Sequence, residues 1–558
     1  MDYLNDKTVD GNLFEILVES GAAKLNENLQ TVNDLNVFPI PDGDTGDNMF
    51  RTLSGGIFPM RQVTENSLFK KAKALSDGML MNARGNSGVI LSRIFCGIAE
   101  SLDGVEVGTM RDFSKALIAG YKKGYGSVVN PVEGTILTVA RESAEKVNSS
   151  VTIDSTLKDV FDLLVKEISV SLENTPELLA VLKEAGVVDS GGAGLMYIAE
   201  GARGAVYGKT FGEAMSDSTA TNKNIDFSKF NEDSVMEFGY CTEFLLQLQN
   251  AKVDIKAFDV QTIIDYLKTI GDSIVAFMTG SVVKVHVHTM QPYKALEFCQ
   301  QFGEFLTVKI ENMTLQHNET LKDEDEFVVD LPKVKKARKK FGLCSVANGR
   351  GIIDLFKELG ADEIIDGGMG KNPSVSDFID AFDNVNADNI FVLPNNSNIF
   401  LAAQEAAKLY DKSKVYVIPT KDIGQAYSAL SMLDYSADDA DAIADQLAAD
   451  MADVTTGYVA KAIRDANLDG VTISLDGYVG AQGKTVLAAA SSKVGTLTTL
   501  LEKMGFAEKT FLTLFYGRDV TDEEKTLANE LLAETYPDAE IYEIDGDQEV
   551  FDVIVVME

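Results

Sequence analysis

With 558 residues, the chain exceeds what one hydrophobic core supports, and several domains are expected. Its net charge of −36 and isoelectric point near 4.5 exclude the basic footprint of a nucleic-acid binder and argue against adhesion to anionic membranes. No apolar run is long enough to span a bilayer, no signal peptide opens the chain, and Cys96, Cys241, Cys299 and Cys344 are too scattered for a disulfide framework; a cytoplasmic protein without integral membrane association is expected.

Residues 11–210 read as helices. "LFEILVESGAAKLNENLQTVNDL" and "SLFKKAKALSDGMLMNARGNSGVILSRIFCGIAESL" carry apolar residues at helical spacing, the second broken at "ARGNSG". Further helices follow "NPVEGT" and "VVDSGG". "MSDSTATNKN", residues 215–224, reads as a linker. Residues 225–318 then read as a small α/β domain, with alternating "YCTEFLLQLQ" and "SIVAFMTGSVVKVHVHTM" around the helical "VQTIIDYLKTIG". A charge-dense stretch, "ETLKDEDEFVVDLPKVKKARKK", forms a second linker. From residue 338 to 558, "FGLCSVA", "DEIIDG", "NIFVLPN" and "KVYVIPT" alternate with helical segments, which implies a parallel sheet flanked by helices. "ADDADAIADQLAADMADV" reads as an acidic helix with a solvated face.

The densest chemistry lies in "NVFPIPDGDTGDNM", Asn36–Met49, which crowds Asp42, Asp44 and Asp47 among glycines. Like charges repel unless something positive sits among them, so the pattern is either a solvated acidic loop or a divalent-metal site. Three glycine-rich helix starts share the region: "ARGNSG" (Ala83–Gly88), "EGT" (Glu133–Thr135) and "DSGGAG" (Asp189–Gly194). Free N–H groups at a helix N-terminus bind phosphate, and glycine lets the phosphate approach. Together they fit carboxylate-held Mg²⁺ bridging nucleotide phosphates. "GYVGAQGKT", Gly477–Thr485, looks like a lysine-bearing phosphate loop, but its first glycine would fall at Tyr478; it reads as a loop between strands. The three histidines are His286, His288 and His317, so nothing in the first 285 residues offers an imidazole base.

In "VVKVHVHTM", His286 and His288 fall on one side of a strand, roughly 7 Å apart at the backbone. With Cys241 they make a zinc-type set. The residues alone leave this open against two exposed histidines on a polar face, the reading they slightly favour.

Taken in order, "LNVFPIPDGDTGDNM", "ARGNSGVILS", "EGTILTV" and "DSGGAGL" resemble the L subunit of dihydroxyacetone kinase and, more closely, the kinase domain of the bacterial fatty-acid kinase catalytic subunit. The resemblance covers the whole chain. It implies a helical, barrel-like kinase domain at 1–210 holding ATP and two Mg²⁺, with Asp42 and Asp44 as metal ligands. The resemblance offers Asn36 as the third position; the aspartate that precedes the DGD pair in dihydroxyacetone enzymes has no counterpart here at the matching distance, so a different ligand set is expected, and Asp47, where the family tolerates variation, is secondary. Thr45, Asn48, Ser87, Gly88, Thr135 and Gly192 would contact nucleotide, and Arg84 would neutralise phosphate. The family's middle domain carries a Cys and His-x-His metal site, which implies structural zinc on Cys241, His286 and His288.

"VANGRGIIDLFKELG" and "GGMGKNPSVSDFIDAF" resemble a lobe of DegV-type fatty-acid-binding proteins. The family's TSQPS-like loop reads here Gly370-Lys371-Asn372-Pro373-Ser374, and Ser345 stands for the first-strand serine. With these departures, docking or dimerisation is the expected role of this domain. The implied activity is ATP-dependent phosphorylation of a fatty acid presented by a separate DegV-type carrier, giving acyl phosphate, in a homodimer. No stretch of the first domain encodes an obvious lipid cradle. The alternatives are a kinase for dihydroxyacetone or a similar small molecule, and a non-catalytic scaffold that binds the lipid carrier.

Overall fold

Apolar residues at three- and four-residue spacing fold into a succession of helices: α1 Gly11–Glu27, α2 Leu29–Asp34, α3 Thr45–Arg61, α4 Leu68–Met81, α5 Gly85–Ser101, α6 Met110–Tyr125, α7 Ile136–Ser150, α8 Leu157–Glu173, α9 Thr175–Leu178, α10 Ala180–Ala185 and α11 Ser190–Val206. The computed structural model describes residues 2–35, 43–128, 130–209, 240–255, 258–279, 281–312 and 338–558. Asn36, Asp42 and His317 lie outside the described residues, as does the expected linker at 215–224. Two short strands, β1 Thr8–Val9 and β2 Gly108–Thr109, pair antiparallel beside the helices. Leu25, Met49, Leu53, Ile57 and Met60 are fully buried in the helical core.

The starts of the long helices divide into two kinds. Five are closed by side chains: Asp10, Ser67, Thr109, Thr156 and Asp189 each accept a backbone N–H in the first turn of α1, α4, α6, α8 and α11. The starts of α3, α5 and α7, at Asp44, Arg84 and Thr135, are not capped by the side chains of those residues. Side chains from elsewhere take two of their first N–H groups: Asn33 accepts that of Gly46 in α3, and Asp189 that of Ile136 in α7.

The chain divides into two compact units, Met1–Ala214 with Lys335–Glu558, and Met215–Val334. The second unit holds a four-stranded antiparallel sheet in the order β4-β5-β3-β6, from β3 Tyr240–Leu248, β4 Gly271–Thr279, β5 Val282–Thr289 and β6 Gly303–Asn312. Phe244, Leu246, Val283, Val285 and Val287 fill its core with Ile263, Leu267 and Cys299 from two short helices.

In the first unit, the C-terminal lobe begins with the expected parallel sheet, ordered β10-β9-β7-β8, from β7 Lys339–Ala347, β8 Glu363–Asp366, β9 Ala387–Leu393 and β10 Lys414–Val417. A second, six-stranded sheet was not expected. It comprises β11 Thr455–Lys461, β14 Tyr478–Gln482, β15 Thr485–Ala490, β16 Phe511–Tyr516, β17 Glu540–Asp545 and β18 Val553–Met557. A hairpin of β12 Ala466–Leu468 and β13 Val471–Ile473 leads into β14. The segment expected as a loop, Gly477–Thr485, is mostly β14 itself. It turns into β15 through Gly483 at φ 57°, the left-handed conformation a two-residue hairpin requires.

The lobe and the helical region share a core. Ala83 and Val89, at the start of α5, are buried with Val375, Phe378, Phe382, Ile399 and Ala402 of the lobe. A single antiparallel bridge joins Arg84 to Ser374, and the Val375 N–H donates to the Ala83 carbonyl at 3.3 Å.

Candidate functional site

Four helix starts converge. Ser190, opening α11, hydrogen-bonds Thr45 of α3, Oγ to Oγ1 at 3.3 Å. Gly85, opening α5, lies against Asn48 of α3: a Cβ there would stand 2.7 Å from the Asn48 Nδ2, and its φ of +58° already favours glycine. Asp189 joins α11 to α7, because its carboxylate accepts the N–H of Gly192 at 2.7 Å and also that of Ile136. The motifs holding Asp44, Thr45, Asn48, Gly88, Thr135 and Gly192 are thus brought to one end of the helical region.

Asp44, half-buried, sits at the start of α3, and its carbonyl accepts the Asn48 N–H at 2.8 Å. Asn48 is buried, and its carbonyl accepts the Thr52 hydroxyl at 2.6 Å. Thr52 in turn accepts the Arg84 N–H at 3.3 Å, tying α3 to the α5 start beside Ser87 and Gly88. Thr135 is half-buried at the start of α7, with its hydroxyl donating to the Val132 carbonyl at 2.8 Å. Gly192 directs its N–H to the Asp189 carboxylate. Burial pushes the Asp189 carboxyl up to about 6, with the Gly192 and Ile136 N–H bonds opposing the shift.

Asn33 is a residue that sequence reasoning missed. Its side chain donates to Asp47 at 2.7 Å and accepts the Gly46 N–H at 2.8 Å, bracing the aspartate turn from α2. Asp47 is therefore a brace in this geometry. Nothing in the pattern around Asn33 marks it, because it is one polar residue on an ordinary helix 13 positions before Gly46.

Arg84 faces the C-terminal lobe. One guanidinium nitrogen donates to the Asn372 carbonyl at 2.9 Å and lies 3.5 Å from the Asp377 carboxylate. Desolvation lowers its pKa, Asp377 raises it and Arg51 lowers it again. The expected first-strand serine, Ser345, is fully buried; its hydroxyl accepts the Asn395 amide at 2.8 Å inside a network closed by Val346 and Thr420. That is a core role.

The helical region also encloses an apolar cavity of about 120 Å³, lined by Phe14, Leu17, Leu53, Phe95, Phe161 and Ile198 among others. The sequence had suggested no lipid cradle here. A dry cavity of about 150 Å³ accepts a benzene-sized group, so this one is small for a whole long acyl chain.

In the second unit, the β3–β5 register sets Cys241 opposite His288 and Glu243 opposite His286. Directly opposed residues of an antiparallel pair have Cα atoms about 4.5–5.5 Å apart. The side chains of Cys241, His286 and His288 lie outside the described residues; among those described, no group of three metal-ligating side chains occurs. No described helix is long and apolar enough to cross a membrane.

Comparison with known proteins adds three family matches: the DAK2 domain over residues 39–204, the middle domain of FakA-like fatty acid kinase subunits over 237–320, and the C-terminal domain of the same FakA-like subunits over 342–558. Protein YloV of Bacillus subtilis strain 168 is 36% identical over 99% of this chain and 100% of its own length. Uncharacterised proteins of Staphylococcus saprophyticus and Staphylococcus aureus strain USA300 are 34% and 35% identical, covering 99% and 97% of this chain and 99% and 98% of their own. Among solved structures, the Streptococcus pneumoniae fatty acid kinase B3 protein loaded with linoleic acid aligns over 39% of this chain and 99% of its own, at 14% identity and a TM-score of 0.27. DegV, a fatty acid binding protein from Bacillus subtilis, aligns over the same shares at 11% identity and a TM-score of 0.30. With end-to-end relatives above one-third identity and all three domain matches in order, the chain belongs to the FakA-like family of fatty acid kinase subunits.

Proposed function

We propose that the protein transfers the γ-phosphoryl group of ATP to the carboxylate of a fatty acid held by a separate DegV-type fatty-acid-binding protein, giving acyl phosphate. The observation that carries this reading is the convergence beside Asp44 of four glycine-rich or aspartate-bearing helix starts, three of them not capped by their own N-cap side chains. Membership of a family of kinase subunits supports it, because a subunit works with a second chain.

The donor set suits Mg²⁺-nucleotide. Carboxylate oxygens are the ligands a hard cation takes, and uncapped helix starts present N–H groups to phosphate. Asp44 and Asp42, with Asn36, would hold Mg²⁺, two ions in the family's pattern. The bound metal would neutralise charge on the transferred phosphoryl group. The first-turn N–H groups of α3, α5 and α7 not taken by Asn33 or Asp189 would cradle phosphate oxygens beside Thr45, Asn48, Ser87, Gly88 and Thr135. Gly192 joins them when its N–H turns from Asp189 to the nucleotide. Arg84 reaches phosphate only by leaving Asp377 and the Asn372 carbonyl.

Phosphoryl transfer asks mainly for positioning and charge stabilisation. A fatty-acid carboxylate is ionised at neutral pH and attacks without a general base, which suits a region without histidine. The small size of the helical region's cavity favours a lipid brought by a carrier. In the same reading the helical region is barrel-like, Cys241, His286 and His288 hold structural zinc, and the protein is a cytoplasmic homodimer.

The DAK2 match also favours a second reading, a dihydroxyacetone-type kinase. The test of the metal assignment is Asp44→Asn, and Asp42→Asn beside it. Each should lose acyl-phosphate production while still binding the carrier. Undiminished Mg²⁺-dependent turnover in a folded variant would overturn the assignment.

A further inference from the structure

Asp44 stands at the seam between the helical region and the C-terminal lobe. The Asn372 side-chain amide donates to Asp44 Oδ2 at 2.6 Å, across 328 positions of sequence. We propose that Asn372 is a positioning residue for Asp44, so that the C-terminal lobe completes the metal-binding edge of the kinase site within the same chain. The inference rests on the reading of Asp44 as a metal ligand.

Asn372 is only 4% exposed, and the loop that carries it is braced on both sides. Lys371 is paired with Asp366 at 2.6 Å, and Gly368 and Lys371 exchange backbone hydrogen bonds at 3.0 and 3.1 Å. Ser374 and Asp377 close the following helix, Val375–Val385, with a reciprocal capping box. The Asn372 carbonyl meanwhile accepts from Arg84, so its backbone and side chain both engage the helical region. The glycine at position 85 keeps the space open, since a Cβ there would come within 3.2 Å of the Asn372 Nδ2.

Further contacts hold the lobe at this face. Arg93 of α5 pairs with the buried Glu405, and Asn86 meets Asn398 at 3.4 Å. The chemistry of the contact also suits a ligand carboxylate. A carboxylate has about four lone-pair sites, so one amide donor fixes its orientation and leaves acceptor capacity for a cation. A neutral donor does so without competing in charge, as an ammonium group would. Mutating the hydrogen-bond partner of a ligating residue typically costs about 10–100-fold in metal affinity.

The test measures Mn²⁺ binding, in the presence of ADP, to the full-length protein by electron paramagnetic resonance. It compares wild type, Asn372→Leu, Asn372→Ser, Asp44→Asn and Asn398→Ala, each checked for fold by circular dichroism and thermal melting. The expected result is Mn²⁺ affinity about tenfold weaker in both Asn372 variants and unchanged in Asn398→Ala. If Asn372→Leu does not fold, the smaller serine variant decides. Asn372 variants that bind Mn²⁺ like wild type while Asp44→Asn loses it would overturn the positioning role and leave the metal reading intact. Equal losses in Asn372→Leu and Asn398→Ala would assign the effect to lobe docking and overturn the role of the amide. Full Mn²⁺ binding by Asp44→Asn would remove the metal reading and the inference with it.

Discussion

Replacing Asp189 by asparagine should change the pH dependence of stability in a calculable way. The carboxyl titrates near 6 in the folded protein because burial disfavours its charge, against 3.8 for an unperturbed aspartate. A folded state that holds its proton up to higher pH loses stability as pH rises, since the unfolded chain releases that proton first. The loss begins near pH 4 and is complete above the folded value, reaching at most about 3 kcal/mol. About 1.4 kcal/mol of it falls between pH 5 and pH 7.5. Asparagine keeps an oxygen that can accept the Gly192 N–H and carries no charge to desolvate. Urea-dependent hydrogen exchange of peptides covering α7 and α11, at pH 5 and 7.5, reads the difference between variant and wild type. The variant should gain by about 1.4 kcal/mol relative to wild type across that interval. A difference that is flat with pH, or that runs the other way, would refute the placement of a desolvated carboxylate between the two helix starts.

Three further outcomes are expected. Arg93→Met leaves Glu405, with 3% of its side chain exposed, facing Lys408 alone at 2.9 Å; breaking a buried pair costs about 3–5 kcal/mol, reduced here by that lysine to about 2–3. Urea unfolding, in a cycle with Glu405→Gln, measures the coupling, and a value under about 0.5 kcal/mol would show that the pair does not hold the lobe. Gly85→Ala forces alanine into a left-handed conformation and against Asn48, so it should cost about 1–2 kcal/mol and weaken ADP binding, as calorimetry would show; unchanged affinity would separate Gly85 from the nucleotide site. Purified protein should carry about one zinc per chain, and His288→Ala should carry less by metal analysis; equal contents would remove His288 from the zinc set.

The helical character of the first region was legible because apolar residues recur at helical spacing through α1, α4 and α5. The grouping of the candidate residues was legible where they are local in sequence. Asp44, Thr45 and Asn48 share one turn, and Gly85 and Gly88 open the next helix they touch. Asn33 and Asn372 were not, since each acts through a hydrogen bond to a distant turn and leaves no periodic trace. The parallel half of the C-terminal lobe declared itself through strand–helix alternation. The six-stranded sheet did not, because β11, β14 and β18 pair across long sequence gaps and β14 is rich in small residues that also suit a loop. The shared core of Ala83 and Val89 with Phe378 was equally hidden, because its partners lie far apart in the chain.

The measurement that tests the central claim most directly is phosphate transfer from labelled ATP by the full-length protein. The acceptors are free fatty acid, fatty acid bound to a DegV-type carrier, and dihydroxyacetone, with and without Mg²⁺. The account predicts Mg²⁺-dependent acyl phosphate from carrier-bound fatty acid, little from free fatty acid, none on dihydroxyacetone, and loss of transfer in Asp44→Asn. Label on dihydroxyacetone, or acyl phosphate formed equally well by the Asp44→Asn protein, would contradict it.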